Sequence, residues 1–316
     1  MALTFDDRWV WDFWLARDGD DHHVFYLQAA RSLGDPGARH WNVSIGHAVS
    51  TDLRSWTVLP DALQPGPPGS WDDASTWTGS VVRHGDRWHL LYTGTSSADG
   101  GLVQRIGMAT SPDLLTWTKH DGPVLEADPR WYETLDPAVW PDQAWRDPWV
   151  FVHPDDGEYH AFVTARVPHG EQSERGVVGH ARSSDLTRWH VLPPVTEPMG
   201  FGQMEVPQLL ARAGRWYLVF CSDLSTQGER LRAEGPGTGT FYLVGDSPTG
   251  PFRCIGDGVL EADRDESTYA GKLHEDTDGS LVFLAWHRTG PDGTFQGTLS
   301  DPRPVEVLAD GALRIR

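Results

Sequence analysis

The sequence predicts an all-β protein, a five-bladed β-propeller that forms a single domain over residues 1–316. Three observations predict this fold. A turn glycine followed by a run of aromatic and β-branched residues occurs five times, the glycines are 57 to 72 residues apart, and no segment keeps a helical period. Radially repeated four-stranded sheets need repeats of about this size. Tandem separate domains are the alternative, but no low-complexity linker divides the repeats.

The five repeats share the glycine and the strand that follows it. Each glycine is expected to end one strand in a turn, and the apolar run after it is expected to form the next strand. The five units are Gly19 with residues 24–27, Gly85 with 88–92, Gly157 with 159–163, Gly214 with 216–220, and Gly279 with 281–284.

A second motif follows each of the first four strand pairs at a matching distance. It reads Ser-x-Asp-Leu and ends in tryptophan three residues later, at residues 50–56, 111–117 and 183–189, with a weaker copy at 247–252. The Ser or Asp is expected to begin a tight turn, and the aromatic residue is expected to start or anchor the next strand.

The charge and cysteine content exclude several classes of function. The chain carries 45 acidic against 26 basic residues, which disfavours a nucleic-acid or anionic-membrane partner. No apolar run approaches the ~20 residues of a membrane span. Residues 1–7 lack the pattern of a secretory signal, and Cys221 and Cys254 are too few for a disulfide framework. These features predict a cytoplasmic protein, unless a leader was removed from a longer parent.

The 16 tryptophans have two interpretations. They serve as large core residues of a β protein, or as flat platforms on which sugar rings stack.

The strand before each turn glycine is expected to line the central channel of the propeller. Positions seven to ten residues before the glycines therefore converge in space. They are Asp12, Thr78, Asp147, Glu205 and the segment of residues 270–272. Three of the five are carboxylates in otherwise apolar strands, where an unpaired charge is costly.

Clustered carboxylates beside tryptophans indicate glycoside hydrolysis, in which one acid protonates the leaving oxygen and another attacks the sugar or activates water. Arg146 is expected to hold Asp147 ionised, which argues against Asp147 as the proton donor. Glu205 has apolar neighbours and is the better general acid. Asp12 remains as nucleophile or base.

The motifs resemble those of glycoside hydrolase families 32 and 68. Residues 10–14, Val-Trp-Asp-Phe-Trp, are similar to the Val-Trp-Asp-Ser-Trp of family 68 levansucrases, whereas residues 46–60 resemble family 32. Residues 77–80 resemble the Trp-Ser-Gly-Ser element near the sugar site of both families. Residues 146–148 match their Arg-Asp-Pro motif, and residues 205–207 resemble the Glu-Cys-Pro or Glu-Arg-Pro element.

This resemblance implies a retaining enzyme with Asp12 as nucleophile, Asp147 as transition-state stabiliser and Glu205 as acid/base. Sucrose or a short fructo-oligosaccharide is the expected substrate, with no cofactor and no metal. The chain has no room for the C-terminal β-sandwich of family 32, which suggests a compact enzyme and a homo-oligomer. The residues expected to bind substrate are Trp11, Trp14, Trp77, Ser80, Arg146 and Lys272.

Three alternatives remain beside this hypothesis. They are a fructosyltransferase of the levansucrase type, an inverting propeller glycosidase for arabinosides or xylosides, and a non-catalytic carbohydrate-binding propeller. Val206 replaces the usual Cys or Arg of the resembling families, and this leaves recognition of the leaving group undefined. Asp72 and Asp73 are expected either to touch the sugar or to lie in a surface loop. His22 and His23 are expected to form a polar turn.

Overall fold

A computed structural model describes residues 3–316, in which the strands form five separate sheets arranged around one axis. The first strands of successive sheets contact one another in a closed ring, so each first strand is the innermost strand of its blade. The predicted five-bladed β-propeller is therefore confirmed. Residues 3–316 contain no β-sandwich beyond the five blades.

The blades follow one another along the chain, and neighbouring strands within each blade are antiparallel. Blade 1 contains β1 (Arg8–Asp18), β2 (Asp21–Ala30), β3 (Ser44–Ser50) and β4 (Thr57–Leu63). Blade 2 contains β5 (Ser75–His84), β6 (Arg87–Thr95), β7 (Arg105–Ser111) and β8 (Thr118–Lys119). Blade 3 contains β9 (Trp145–Val152), β10 (Tyr159–Arg166), β11 (Gly176–Ser183) and β12 (His190–Leu192).

Blades 4 and 5 each have a fifth strand. Blade 4 contains β13 (Glu205–Arg212), β14 (Arg215–Ser222), β15 (Thr238–Gly245), β16 (Phe252–Arg253) and β17 (Val259–Asp263). Blade 5 contains β18 (Thr268–Glu275), β19 (Leu281–Thr289), β20 (Phe295–Leu299), β21 (Arg303–Val307) and β22 (Leu313–Ile315).

Helices are few and short. The α-helix Glu229–Glu234 has six residues, and no helix within residues 3–316 is long and apolar enough to cross a bilayer. The 3-10 helices are Arg31–Leu33, Pro36–Trp41, Ser97–Asp99, Gln172–Glu174 and Leu224–Thr226.

Both sequence motifs form the turns predicted for them. All five turn glycines have positive φ and join the first strand of a blade to the second. In the Ser-x-Asp-Leu motif the aspartate caps the turn between the third and fourth strands. Asp52, for example, accepts hydrogen bonds from the backbone N–H groups of Arg54 and Ser55 at 2.8 and 2.6 Å.

Blades 1 and 5 are joined by contacts between the two ends of the described chain. The Leu299 N–H donates to the Leu3 carbonyl at 3.1 Å, and the Arg31 guanidinium donates to the Gln296 carbonyl at 2.7 Å. The Trp9 ring packs edge-on against Phe295. These contacts close the ring, which holds the inner strands and their side chains in fixed positions.

Candidate active site

A β-bulge interrupts every inner strand at the same place, and these bulges build the site. The pairing with the second strand shifts after Trp11, Trp77, Arg146, Glu205 and Tyr269. We call these five residues the upper ring. The residues that follow them form the lower ring, which consists of Asp12, Thr78, Asp147, Val206 and Ala270.

The two rings correct one expectation from the sequence. Asp12 and Asp147 occupy equivalent lower-ring positions, as predicted, but Glu205 lies one residue earlier in its strand and belongs to the upper ring. Its lower-ring counterpart is Val206. Consecutive residues at a bulge are aimed differently, so Glu205 approaches the centre from another direction than the two aspartates.

The lower-ring residues of three blades have a left-handed backbone. The φ angles are 58° for Asp147, 50° for Val206 and 48° for Ala270. A β-branched residue such as valine is rare in this region, and such conformations cost about 1–3 kcal/mol each. The hydrogen bonds on either side of the bulge hold them in place.

Asp12 lies half-buried at the centre between two donors. Its Oδ1 accepts a hydrogen bond from Trp286 Nε1 at 2.8 Å, and its Oδ2 accepts a longer one from the Thr78 hydroxyl at 3.4 Å. Burial, followed by the charges of Asp147 and Glu205, raises the pKa of Asp12 to about 6. Asp12 is therefore mostly ionised at neutral pH.

Asp147 is held by its neighbours from two blades. Its Oδ2 accepts hydrogen bonds from the Thr164 hydroxyl at 2.8 Å and from the Val206 N–H at 3.2 Å. The Arg146 guanidinium lies 3.4 Å from the same oxygen. Val206, whose role the sequence left open, thus helps to position an acid through its backbone.

Glu205 is bound on both of its oxygens. Oε1 accepts a hydrogen bond from Arg146 Nη2, and Oε2 accepts one from the Tyr269 hydroxyl. Burial has the largest effect on the pKa of Glu205 and raises it, as does the Asp147 charge, while Arg146 and Tyr269 oppose the rise. The net shift is upward, which favours a protonated carboxyl.

Arg146 is fixed by two glutamines as well as by the acids. Nη1 donates to Gln104 Oε1 at 3.1 Å, and Nη2 donates to Gln203 Oε1 at 2.7 Å. The guanidinium is thus a rigid bridge between Asp147 and Glu205.

The three acids line one cavity of about 440 Å³. Of the residues predicted to bind substrate, Trp11, Trp77 and Arg146 also line it. A cavity of this size that is lined by both carboxylates and indoles suits a small sugar.

The other three predicted substrate-binding residues lie away from the cavity. Trp14 is fully buried and stacks on Phe25. The Ser80 hydroxyl is buried and accepts a hydrogen bond from the Val150 N–H at 3.0 Å. Lys272 is buried and donates to the Val206 carbonyl at 2.6 Å. The predicted sugar contacts of these residues do not fit their positions. One side chain packs against an aromatic ring, and the other two form hydrogen bonds with backbone groups.

One further expectation needs correction. Asp72 is buried, where Tyr92 and Lys119 bind its carboxylate at 2.8 and 2.5 Å, so it does not touch the cavity. Asp73 binds the Ser97 N–H at 2.7 Å and fits the surface-loop alternative.

The predicted polar turn at His22 and His23 is also wrong. Both residues are buried in β2, where His22 pairs with His274 and His23 with His47, each at 2.9 Å.

Several cavity residues were not identified from the sequence. They are Arg39, His40 and Trp41 of the β2–β3 connection, Gln104, Asp142, Gln203, the Asp223–Arg288 pair, Ser225, Thr226, Tyr269 and Trp286. Tyr269 directly precedes the segment 270–272 and lies ten residues before Gly279, so the same count of seven to ten residues includes it. The loop residues have no repeat position, although the consecutive Arg39, His40 and Trp41 are an unusual cluster in a connection.

The 3-10 helix Pro36–Trp41 forms one wall of the cavity through its last three residues. Trp77 Nε1 donates to the His40 carbonyl at 2.9 Å, and Arg39 lies over the Trp11 ring at 5.5 Å. Burial lowers the pKa of His40 to about 3, so its imidazole is neutral. Opposite this wall, Asp223 pairs with Arg288, whose Nη2 also lies 2.9 Å from Glu266.

A propeller with three converging carboxylates, two of them with raised pKa, defines a glycoside hydrolase. The sequence profile described as "Glycosyl hydrolases family 32 N-terminal domain" matches residues 15–312. The chain belongs to glycoside hydrolase family 32, within the group of fructosidases and fructosyltransferases that also includes family 68. The match begins after Asp12, so the place of Asp12 rests on the geometry above.

Relatives and solved structures agree with this membership. The chain is 26% identical to an extracellular sucrase of Zymomonas mobilis, over 99% of this chain and 83% of that protein. It is 27% identical to a sucrose-6-phosphate hydrolase of Bacillus subtilis, over 84% of this chain and 51% of that protein.

An inulosucrase from Halalkalicoccus jeotgali bound to kestose has the same fold. Its TM-score is 0.82 at 24% identity, over 99% of this chain and 87% of that one. A levansucrase from Gluconacetobacter diazotrophicus gives a TM-score of 0.79 at 18% identity, over 99% of this chain and 81% of that one.

The sucrase also corrects the expected location. The Zymomonas mobilis relatives that match nearly the whole chain are named extracellular. The prediction of a cytoplasmic protein, which rested on charge, cysteine content and the first residues, is therefore wrong.

Proposed function

We propose that the protein hydrolyses β-fructofuranosides, sucrose or short fructo-oligosaccharides, with retention of configuration at the fructosyl carbon. The observation that carries the proposal is the convergence of Asp12, Asp147 and Glu205 in one cavity, with different partners on each carboxylate. Chemically similar carboxyl groups can have different catalytic roles when their hydrogen-bond partners differ.

Asp12 is the nucleophile. Trp286 holds Oδ1 at 2.8 Å, while Oδ2 makes only the 3.4 Å contact with Thr78. Oδ2 is thus the less stabilised oxygen, and it attacks the anomeric carbon of the fructosyl ring. The bond from this carbon to the leaving glucosyl oxygen breaks, and a covalent fructosyl ester forms on Asp12.

Glu205 is the acid and then the base. Its raised pKa keeps the proton available to the leaving oxygen as the bond to the sugar breaks. The resulting carboxylate lies beside Arg146 and Tyr269, which stabilise it. It then takes a proton from the water that attacks the ester, and this step returns Glu205 to its protonated form.

Asp147 binds sugar hydroxyls near the reacting carbon. Thr164 and the Val206 N–H occupy Oδ2, which leaves Oδ1 as the oxygen that accepts from the sugar. Hydrogen bonds of this kind strengthen as positive charge develops on the ring in the transition state.

The names of relatives, which refer to sucrose, sucrose-6-phosphate and fructans, support this substrate class. The name of the Zymomonas mobilis sucrase also favours an extracellular site of action. Family membership disfavours the arabinoside, xyloside and purely carbohydrate-binding alternatives.

The test is the release of glucose and fructose from sucrose by purified protein, compared with the Asp12→Asn and Glu205→Gln variants. Loss of several powers of ten in both variants, with unchanged circular dichroism, supports the assignment. Activity near wild type in either variant contradicts it. NMR of the first-formed fructose anomer tests retention.

The same measurement separates hydrolysis from fructosyl transfer. Both share the ester on Asp12 and differ in the acceptor, water or another sugar. Equal release of both sugars indicates hydrolysis, whereas glucose in excess of fructose indicates transfer.

A further inference from the structure

A cluster of metal-binding side chains lies in the hairpin between β9 and β10, far from the cavity. Asp147 stands near the start of β9, and His153 follows its end six residues later. At ~3.3 Å per strand residue this places the hairpin about 20 Å away, on the opposite face of the propeller.

The cluster consists of His153, Asp156 and His160, in the spacing His-x2-Asp-x3-His. His153 Nδ1 lies 3.7 Å from Asp156 Oδ1, and His160 Nε2 lies 3.3 Å from Asp156 Oδ2. The ligand atoms of all three lie within 4.8 Å of one another. Two ligands bound tetrahedrally to one Zn²⁺ at 2.0–2.1 Å are about 3.4 Å apart. The two histidine–aspartate separations are therefore close to this value, and the bound of 4.8 Å on all three pairs means that the ligands close by at most about 1.4 Å around an ion.

The surroundings of the cluster also resemble those of a metal site. His160 contacts His180 Nε2 through Nδ1 at 2.9 Å, so Nδ1–H can donate to His180 while Nε2 faces a metal. A metal-bound histidine generally has such a second partner. His153 and His160 are buried, whereas the Asp156 side chain is 39% exposed. This exposure gives an ion a path of entry and a water ligand.

Hydrogen bonds within the β9–β10 hairpin hold the three side chains near one another. The Glu158 N–H donates to Asp156 Oδ1 at 2.8 Å, and the Gly157 N–H donates to the His153 carbonyl at 3.0 Å. The rings of His153 and His160 lie with centroids 4.6 Å apart. The three ligands are thus already near one another, and little ordering is needed for binding.

We propose that His153, Asp156 and His160 form a binding site for a divalent transition-metal ion such as Zn²⁺, with water as the fourth ligand. The ion links the end of the inner strand β9 to the start of β10 and clamps blade 3 from the face opposite the cavity. Its role is structural, because no group of the cluster reaches the acids of the cavity. This proposal is independent of the proposed catalytic function.

The test uses the full chain after chelator treatment, titrated with ZnCl₂ by calorimetry and with CoCl₂ by visible absorption. We expect one ion per chain at micromolar or lower concentration, and a Co²⁺ spectrum typical of four ligands. At a hundredfold excess over the dissociation constant, Tm is expected to rise by about 5 °C.

The variant Asp156→Asn is expected to weaken Zn²⁺ binding at least tenfold and to reduce the Tm rise at the same zinc concentration by about half or more, with unchanged sucrose activity. Asp155→Asn is the matched control, because the Asp155 side chain is exposed and only its backbone N–H contacts the cluster. This N–H donates to His153 Nδ1 at a long 3.3 Å and gives up that contact when the ion binds. This control should bind like the unaltered protein.

Asp276→Asn tests the rival site, where His22 Nε2 lies 3.4 Å from Asp276. Binding that is lost in Asp276→Asn and kept in Asp156→Asn overturns the proposal. Binding only at millimolar zinc, or equal binding by all variants, overturns it as well. The Tm of Asp156→Asn without metal shows whether that variant is folded.

Discussion

The hydrogen bond from Trp286 to Asp12 determines the acidic side of the pH profile. Replacing Trp286 with Phe keeps an aromatic ring in the core but removes the N–H that donates to Oδ1 at 2.8 Å. A hydrogen bond to a charged group contributes about 1.5–3 kcal/mol, which corresponds to about 1–2 pKa units. The pKa of Asp12, about 6 in the unaltered protein, should therefore rise to about 7–8 in the variant.

The nucleophile must be ionised, so activity is lost as the pH falls through the pKa of Asp12. Raising that pKa moves the acidic limb to higher pH. At pH 6 about half of Asp12 is ionised in the unaltered protein, but only about 1–10% in Trp286→Phe. We therefore expect kcat/KM for sucrose to fall about 5- to 50-fold at pH 6, with a smaller loss at each higher pH.

The assay is kcat/KM measured from pH 4.5 to 9 at constant ionic strength. Trp14→Phe is the control, because Trp14 lies in the same strand as Asp12 and its Nε1 is buried without a partner among the described residues. This control variant should lower the stability of the fold and leave the acidic limb of the pH profile in place. A limb that stays near pH 6 in Trp286→Phe, with an equal loss at every pH, would refute the assignment of Asp12 as nucleophile.

Three further predictions follow from the same contacts. Asp12→Asn should stabilise the fold at pH 7–8 by up to about 3 kcal/mol, because the raised pKa of Asp12 means that its ionisation between pH 3.8 and 6 destabilises the native state; the gain should vanish below pH 4 in thermal melts, and a pH-independent difference would contradict it. Tyr269→Phe removes the donor to Glu205, so the pKa of Glu205 should rise further and the alkaline limb of kcat/KM should move to higher pH by about one unit; an unmoved limb would count against Glu205 as the acid. Lys272→Met should lower Tm while KM for sucrose changes less than about threefold, since Lys272 binds the Val206 carbonyl and not the sugar; a large rise in KM at unchanged Tm would restore the predicted sugar contact.

The fold could be predicted from the sequence because each repeat contains turn positions that few residue types fit. A turn that needs positive φ favours glycine, and the five turn glycines stand at such positions. The Asp of the Ser-x-Asp-Leu motif satisfies backbone N–H groups that no strand pairs. Both signals are local, so they can be read without knowledge of the contacts between blades.

The site could be predicted only in part, because a β-bulge shifts the pairing register of two strands and no sequence pattern shows where it occurs. Counting back from the glycines finds Asp12 and Asp147 but places Glu205 one residue too far along its strand. Trp14 and Trp286 are both buried tryptophans in blades next to each other, and only the structure shows that Trp286 reaches Asp12 whereas Trp14 packs on Phe25. The position of Arg39 depends on how the β2–β3 connection folds over the cavity, and sequence periodicity does not predict this.

In the two rings, backbone pairing fixes where each residue lies, whereas the side chains determine the chemistry of the cavity. Eight of the ten ring residues line the cavity, whereas Val206 and Ala270 are buried in the core, and ladder pairing on both sides of each bulge holds all ten in place. In blades 3 to 5 the left-handed backbone of the lower ring favours Asp, Asn or Gly, whereas blades 1 and 2 carry no such restriction. Replacing Ala270 with glycine would thus relieve backbone strain in the core and leave the lining of the cavity unchanged. New sugar specificities would be sought instead at the ring positions that line the cavity, other than the three acids, where a side chain can change without redesign of a strand.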